Sequence, residues 1–211
     1  MKSRKIARTY PFQVFRHKIY LPFLHLKGFL NDSARNISTQ KIFELSDLNI
    51  DPSSGTRYET ISYKSLRNIL KVPFEMSFNQ FLDIWCGLGR SIIVAHEIGF
   101  KELHGLDISD QLIKMCKDNL IKSKIEAKLT CQDILDYDLP AGDLVIYIFN
   151  PFGKERIEFL LNKVKNRSYK TFIIYHNPKH SDSFDSKNLI QQKINKHFGL
   201  YDEKTFLYLY E

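Results

Sequence analysis

No acidic residue occurs before Asp32. The 211-residue chain is also sparing elsewhere: three cysteines, one tryptophan, nine glycines and seven prolines. Each scarcity excludes something. Cys86, Cys116 and Cys131 are odd in number and unrelated in spacing, which excludes a disulfide scaffold and fits a reducing compartment, the cytoplasm. So little glycine and proline excludes a collagen-like or low-complexity chain. No apolar run approaches the roughly 20 residues that cross a bilayer, so no transmembrane segment is expected. Nor does an uninterrupted apolar stretch precede a small-residue cleavage site, which argues against a secretory signal. What remains is 43% hydrophobic and 26% charged, enough to bury a core without a disulfide or structural metal.

The missing acids localise the charge. Lys2, Arg4, Lys5, Arg8, Arg16, Lys18 and Lys27 carry the whole formal net charge of +7, leaving 24 bases against 24 acids from Asp32 onward. Tyr10, Phe12, Phe15, Tyr20, Phe23 and Phe29 interleave with these bases. Residues 1–31 therefore read as a basic aromatic arm. One reading is a solvated charged face whose aromatics pack on the domain. Another is contact with an anionic surface: nucleic acid, lipid head groups or an acidic partner. A transit peptide is a third, weakened by the scarcity of serine. Pro11 and Pro22 interrupt any single long helix there.

Residues 32–79 form a connecting region, with a helix expected at Tyr63 to Leu70, ending ahead of Pro73. From 80 to 211, strands and helices alternate. Strands are expected at Gln80 to Ile84, Glu102 to Asp107, Glu126 to Cys131, Asp143 to Phe149 and Lys170 to His176. DLVIYIF and KTFIIYH are apolar enough for strands covered on both faces. Helices are expected at Ser91 to Gly99, Asp110 to Ser123 (capped by Ser109) and Arg156 to Lys165. Asn188 to His197 reads as helical, and Phe198 to Tyr210 as a closing strand pair around Asp202 and Glu203. This alternation implies an α/β fold: a Rossmann-like, doubly wound, mostly parallel sheet with helices on both faces.

In such sheets ligands sit at the carboxyl ends of strands. The first strand runs into Asp83-Ile84-Trp85-Cys86-Gly87-Leu88-Gly89-Arg90. Gly87 and Gly89 let backbone approach a ligand, and the following helix start presents free N–H groups. The dinucleotide fingerprint asks for a third small residue, but its slot holds Ile92, which counts against NAD or FAD. Asp83 beside the turn would repel a pyrophosphate and attract a cation. A sulfonium nucleoside bearing an ammonium group, S-adenosylmethionine, satisfies both constraints. Asp107, about 20 residues past the turn and followed by Ile108, is placed to accept from ribose hydroxyls. Gln132 and Asp133 follow the third strand, where a carboxylate can accept from an adenine amine; ordinary loop solvation explains them equally. Asn150, held by Pro151 at the end of the fourth strand, lines the site and is the candidate catalytic residue, its carbonyl accepting from an attacking amine.

These residues resemble the class I S-adenosylmethionine-dependent methyltransferases, with their seven-stranded Rossmann-like sheet, over about Arg57 to Tyr175. The resemblance implies a cofactor role for Asp83, Gly87 and Gly89 at the methionine, Asp107 at the ribose and Asp133 at the adenine. It implies contact by Tyr58, Glu59 and Thr60, which resemble a tyrosine-containing loop of protein-lysine methylating relatives. Asn150-Pro151-Phe152 is similar to the N-P-P-[FY] signature of amino-group methyltransferases without its second proline, which points to a nitrogen acceptor, protein lysine or a small molecule. The family turn D-x-G-x-G-x-G has Trp85 in place of its first glycine. If that indole blocks the turn, the alternative is a non-catalytic binding module that retains the fold.

Two further features carry less. His176 and His180 stand four apart, but Pro178 forbids a regular helix between them and no acid or cysteine cluster adjoins, so no metal is expected. Cys86 sits where a helix start tends to lower a thiol pKa, yet lacks a visible base and reads as pocket lining.

Overall fold

The computed structural model describes residues 21–48, 58–149, 153–197 and 201–211. The arm before Leu21 and the Asn150-Pro151-Phe152 strand end lie outside them. Helix α1 (Leu21–Ala34) carries Pro22 in its first turn and runs across the expected boundary at residue 31. After a short 3-10 turn at Leu45–Leu48 come α2 (Tyr63–Glu75), β1 (Gln80–Ile84), α3 (Arg90–Ile98), β2 (Glu102–Asp107), α4 (Asp110–Lys122), β3 (Lys128–Cys131), β4 (Leu144–Phe149), α5 (Lys154–Lys165), β5 (Thr171–His176), β6 (Leu189–His197) and β7 (Tyr201–Tyr210).

One seven-stranded sheet has the order β3-β2-β1-β4-β5-β7-β6. The first five strands are parallel; β7 runs antiparallel between β5 and β6. The order reverses between β1 and β4, the switch point where a crevice opens. Strand alternation sends Phe81, Val145, Tyr147, Phe172 and Ile174 into one core layer with Ile92, Ile93, Leu66 and Ile69 from the helices. Leu82, Ile84, Ile146, Ile148 and Ile173 enter the opposite layer with Ile157, Leu160 and Leu161 of α5. Asp83 shares the Phe81 face yet carries a carboxylate, so its place is chemical rather than apolar.

Local signals match the element ends. Ser62 caps α2, its hydroxyl accepting from Ser65 N–H at 3.1 Å, and Ser109 caps α4 through Leu112 N–H at 3.3 Å. Gly99 ends α3 at φ 119°, donating to the Ala95 and His96 carbonyls.

Two expectations are corrected. Helix α2 does not stop before Pro73 but continues to Glu75. Pro73 is buried in the last turn, where its missing N–H costs one helical bond while its carbonyl receives Met76 and Phe78 N–H at 3.1 and 3.2 Å. The segment 189–197, expected to be helical, is edge strand β6, and Asp202 and Glu203 are not a turn but lie within β7, opposite Lys196 and Asn195. Gln and Lys are good helix formers, but the antiparallel partner overrides that weak preference.

Candidate functional site

The crevice floor is the turn from Ile84 to Arg90. Leu106 of the neighbouring strand fixes it, its carbonyl accepting Trp85 N–H at 2.6 Å and Cys86 N–H at 2.9 Å. Trp85, Gly87 and Gly89 all have positive φ, 69°, 52° and 84°. Glycine does this freely; Trp85 does so at roughly 1–2 kcal/mol. Its indole is half-buried and packs against the layer containing Leu82 and Ile84. Gly89 is needed for space as well, since a Cβ there would stand 2.7 Å from Cys116 Sγ.

Two carboxylates bracket the turn. Asp83 is buried and accepts a short hydrogen bond from Ser91 Oγ. Burial, reinforced by Asp107, pushes its carboxyl up to about 7 despite that bond. Asp107 is buried too, and burial pushes it up to about 6 against three backbone N–H bonds. Its Oδ2 accepts from Gly87 N–H at 3.0 Å and its Oδ1 from Ser109 N–H at 2.9 Å, so it braces the two turns against each other. Neither acid forms an ion pair among the described residues.

Tyr58 covers the turn. Its backbone pairs with Phe43 in an isolated antiparallel bridge, and its hydroxyl donates to the Thr39 carbonyl at 3.2 Å. The ring lies so close over Gly87 that a Cβ there would overlap it. Burial raises the phenol pKa strongly. A cleft open to solvent gathers Tyr58, Thr60, Asp83, Trp85 and Cys86 of the expected residues. Glu59 joins them as well. Gly87, Gly89, Asp107, Ile108, Gln132 and Asp133 do not line it; Asp107 ends β2, Ile108 follows it, and Gln132 and Asp133 follow β3. Asn150 lies outside the described residues, although Phe149, immediately before it, lines the cleft.

At the β3 end, Asp133 is engaged: Arg156 grips it at 2.8–3.2 Å through Nε and Nη2, and Leu135 N–H donates at 3.1 Å. Partial burial raises its pKa, but Arg156 and backbone donors outweigh that and bring it below the usual range. Gln132 Nε2 donates to the Asp136 carbonyl at 3.0 Å, and the half-buried Ile108 offers its carbonyl to Cys131 Sγ at 3.6 Å.

The expected lowering at Cys86 is reversed. A hydrogen bond with Cys116, then burial, hold its thiol well above the ordinary range. It is therefore an unreactive lining group rather than a nucleophile. His176 is buried at the end of β5, with Nδ1 2.8 Å from Thr205 Oγ1. Among the described residues, no group of three or more histidine, cysteine or acidic residues is arranged to hold a metal ion.

Sequence reasoning missed Arg90, Ser91, Tyr147 and Asp32. Arg90 and Ser91 directly follow the glycine turn, and that adjacency was their signal. Asp32 was visible as the first acid of the chain, but its partner, 58 residues away, was not.

Residues 81–167 match a family model described as a methyltransferase domain. An uncharacterised protein of Methanocaldococcus jannaschii is 30% identical over 42% of this chain and 41% of its own length. A ribosomal protein L11 methyltransferase of Dictyoglomus turgidum is 24% identical over 42% of this chain and 38% of its own. The chain thus spans about two fifths of the length of these curated relatives. Among solved structures, the magnesium protoporphyrin IX methyltransferase of Synechocystis PCC 6803 with bound SAM superposes with a TM-score of 0.53. It shares 11% identity over 71% of this chain and 78% of that one, a likeness of fold alone.

Proposed function

We propose that the chain, whose residues 81–167 match a methyltransferase-domain model, is a class I methyltransferase that moves a methyl group from S-adenosylmethionine to an amine nitrogen of a protein lysine or a small molecule. The observation that carries this reading is the pair of buried carboxylates, Asp83 and Asp107, flanking a left-handed glycine turn without a basic partner among the described residues. Two buried acids lacking a cation are costly and favour a positively charged ligand.

The residues fit that ligand. Asp83 accepts from its ammonium group. Backbone donors at Gly87, Ile108 and Ser109 do not exhaust the lone pairs of the two Asp107 oxygens, which leaves acceptor capacity for a ribose hydroxyl. Ile108 offers an apolar surface to the adenine, and Gln132 and Asp133 flank its amine edge, with Asp133 shared with Arg156. Tyr58 and Thr60 close the methionine side. When bound, S-adenosylmethionine supplies a methyl group on an electron-poor sulfur, open to in-line displacement. Tyr147 and Phe149 line the acceptor side and exclude water, while Asn150 accepts a hydrogen bond from the amine and aims its lone pair. The rate then comes mainly from positioning. The indole of Trp85 packs against the Leu82 layer, which favours an open turn over a non-catalytic module.

The remaining free thiols, with Cys131 exposed, suit a cytoplasmic setting. No helix among the described residues is long and apolar enough to cross a membrane. The basic arm is proposed to meet an anionic surface of the acceptor. Calorimetry with S-adenosylmethionine and S-adenosylhomocysteine tests the cofactor, and Asp107→Asn should abolish binding while leaving the circular dichroism spectrum intact. Absence of binding by the natural chain sinks the reading. Labelled-methyl transfer to fractionated extract then identifies the acceptor.

A further inference from the structure

We propose that Arg90 and Asp32 are positioning residues of the glycine turn, their buried pair holding the strap that lays the Tyr58 ring over Gly87. The inference rests on the reading that this turn receives S-adenosylmethionine.

Arg90 is the first residue of α3 and directly follows Gly89. A cation at a helix N-terminus faces the unfavourable end of the dipole, and burying a guanidinium costs several kcal/mol more. Arg90 is nevertheless only 2% exposed. Every group that compensates it comes from the segment between α1 and α2 or from those helices. Nη2 meets Asp32 of α1 at 3.4 Å and Gln40 Oε1 at 2.8 Å. Nε donates to Thr39 Oγ1 at 2.7 Å, and Nη1 donates to the Ile61 carbonyl at 3.1 Å. The Tyr63 ring lies under the guanidinium, 4.6 Å from centroid to Cζ, and its hydroxyl donates to Asp32 at 2.7 Å.

Three of these acceptors bracket the covering residue. Thr39 and Gln40 stand on one limb of the strap and Ile61 on the other. The limbs join at the Phe43–Tyr58 bridge, with Phe43 N–H to Tyr58 carbonyl at 3.3 Å and the reverse bond at 2.8 Å. The Tyr58 hydroxyl then returns to the Thr39 carbonyl at 3.2 Å. One planar fork thus ties both limbs to the residue after Gly89, and the strap cannot shift without breaking charged hydrogen bonds in a buried site. Lysine, a single point of donors, cannot span the same four acceptors. Arg90 acts on Tyr58 through Thr39, whose carbonyl accepts the Tyr58 hydroxyl, and through Ile61.

The test is a double-mutant cycle in the full chain: Arg90→Lys, Tyr58→Ala and both together. S-adenosylhomocysteine affinity is read by calorimetry, and acrylamide quenching of Trp85, the single tryptophan, is read without ligand. Arg90→Lys should weaken binding about tenfold in the natural background and less than about twofold when Tyr58 is already alanine. Quenching should rise in each single variant and no further in the double. Equal losses of affinity in both backgrounds would overturn the inference, because an arginine that only supports the fold weakens both alike. Should Arg90→Lys fail to fold, Gln40→Ala removes one rim acceptor and carries the same cycle, with an effect of about threefold. If the natural chain binds no S-adenosylhomocysteine, the reading of the turn fails. The quenching cycle then decides the strap alone: non-additive quenching upholds it and additive quenching overturns it.

Discussion

The proposed pairing of Asp83 with the cofactor ammonium predicts that binding depends on pH in a window where most carboxylates do not titrate. Its carboxyl, pushed up to about 7 by burial, is close to half ionised at neutral pH in the free protein. Only the ionised form pairs with an ammonium group, so binding draws the equilibrium toward the carboxylate and releases a proton. The ionised fraction falls from about nine tenths at pH 8 to about one tenth at pH 6. Affinity for S-adenosylhomocysteine, which keeps the ammonium, should therefore weaken about tenfold across that interval. Asp107, pushed up to about 6, adds in the same direction at the acid end. Calorimetry at pH 8, 7 and 6 in buffers of different ionisation enthalpy measures both effects, with about half a proton released at pH 7. Asp83→Asn should flatten the profile above pH 7. For stability the sign is opposite. The folded pKa lies above the ordinary value, so the folded chain holds the extra proton between about pH 4 and 7. Stability contributed by the protonated form is then lost as pH rises through 7, a penalty on the order of 4 kcal/mol at most. Asp83→Asn should therefore raise the melting temperature at pH 8 while weakening binding. Affinity that is flat from pH 6 to 8, with no proton released, would refute the pairing of Asp83 with a cation.

Gly87→Ala should abolish S-adenosylhomocysteine binding and cost roughly 2 kcal/mol or more in urea titration, because the methyl both overlaps the Tyr58 ring and sits at φ 52°. Trp85→Gly should relieve roughly 1–2 kcal/mol of backbone strain but forfeit the indole's packing, a small net loss by denaturant titration. Binding should persist in that variant, and binding found only in the variant would favour a blocked turn in the natural chain. Arg156→Gln should change stability by less than about 1 kcal/mol, since its pair with Asp133 is partly exposed. It should tighten adenosine-ligand binding by freeing Asp133, which calorimetry would report.

Much of this protein was legible in the linear order of residues. The sequence alone determined β1 and β2 to the residue, the caps at Ser109 and Gly99, the parallel sheet, and the glycine turn with an acid on each side. Those features are written in short-range patterns: short continuous apolar runs, capping residues and glycines where φ turns positive. Tertiary structure decided the rest. β6 is a strand only because β7 lies beside it, and Pro73 is tolerated because neighbouring N–H groups fold back onto its carbonyl. Asp133 is taken by an arginine 23 residues on, and Cys86 is kept protonated by a thiol from another helix. Arg90 owes its burial to an acid, a threonine and a carbonyl from a separate stretch of chain. Each depends on which distant groups share a low-dielectric space, where desolvation and pairing outweigh local preference. That proximity is a property of the packed fold and of no window of sequence.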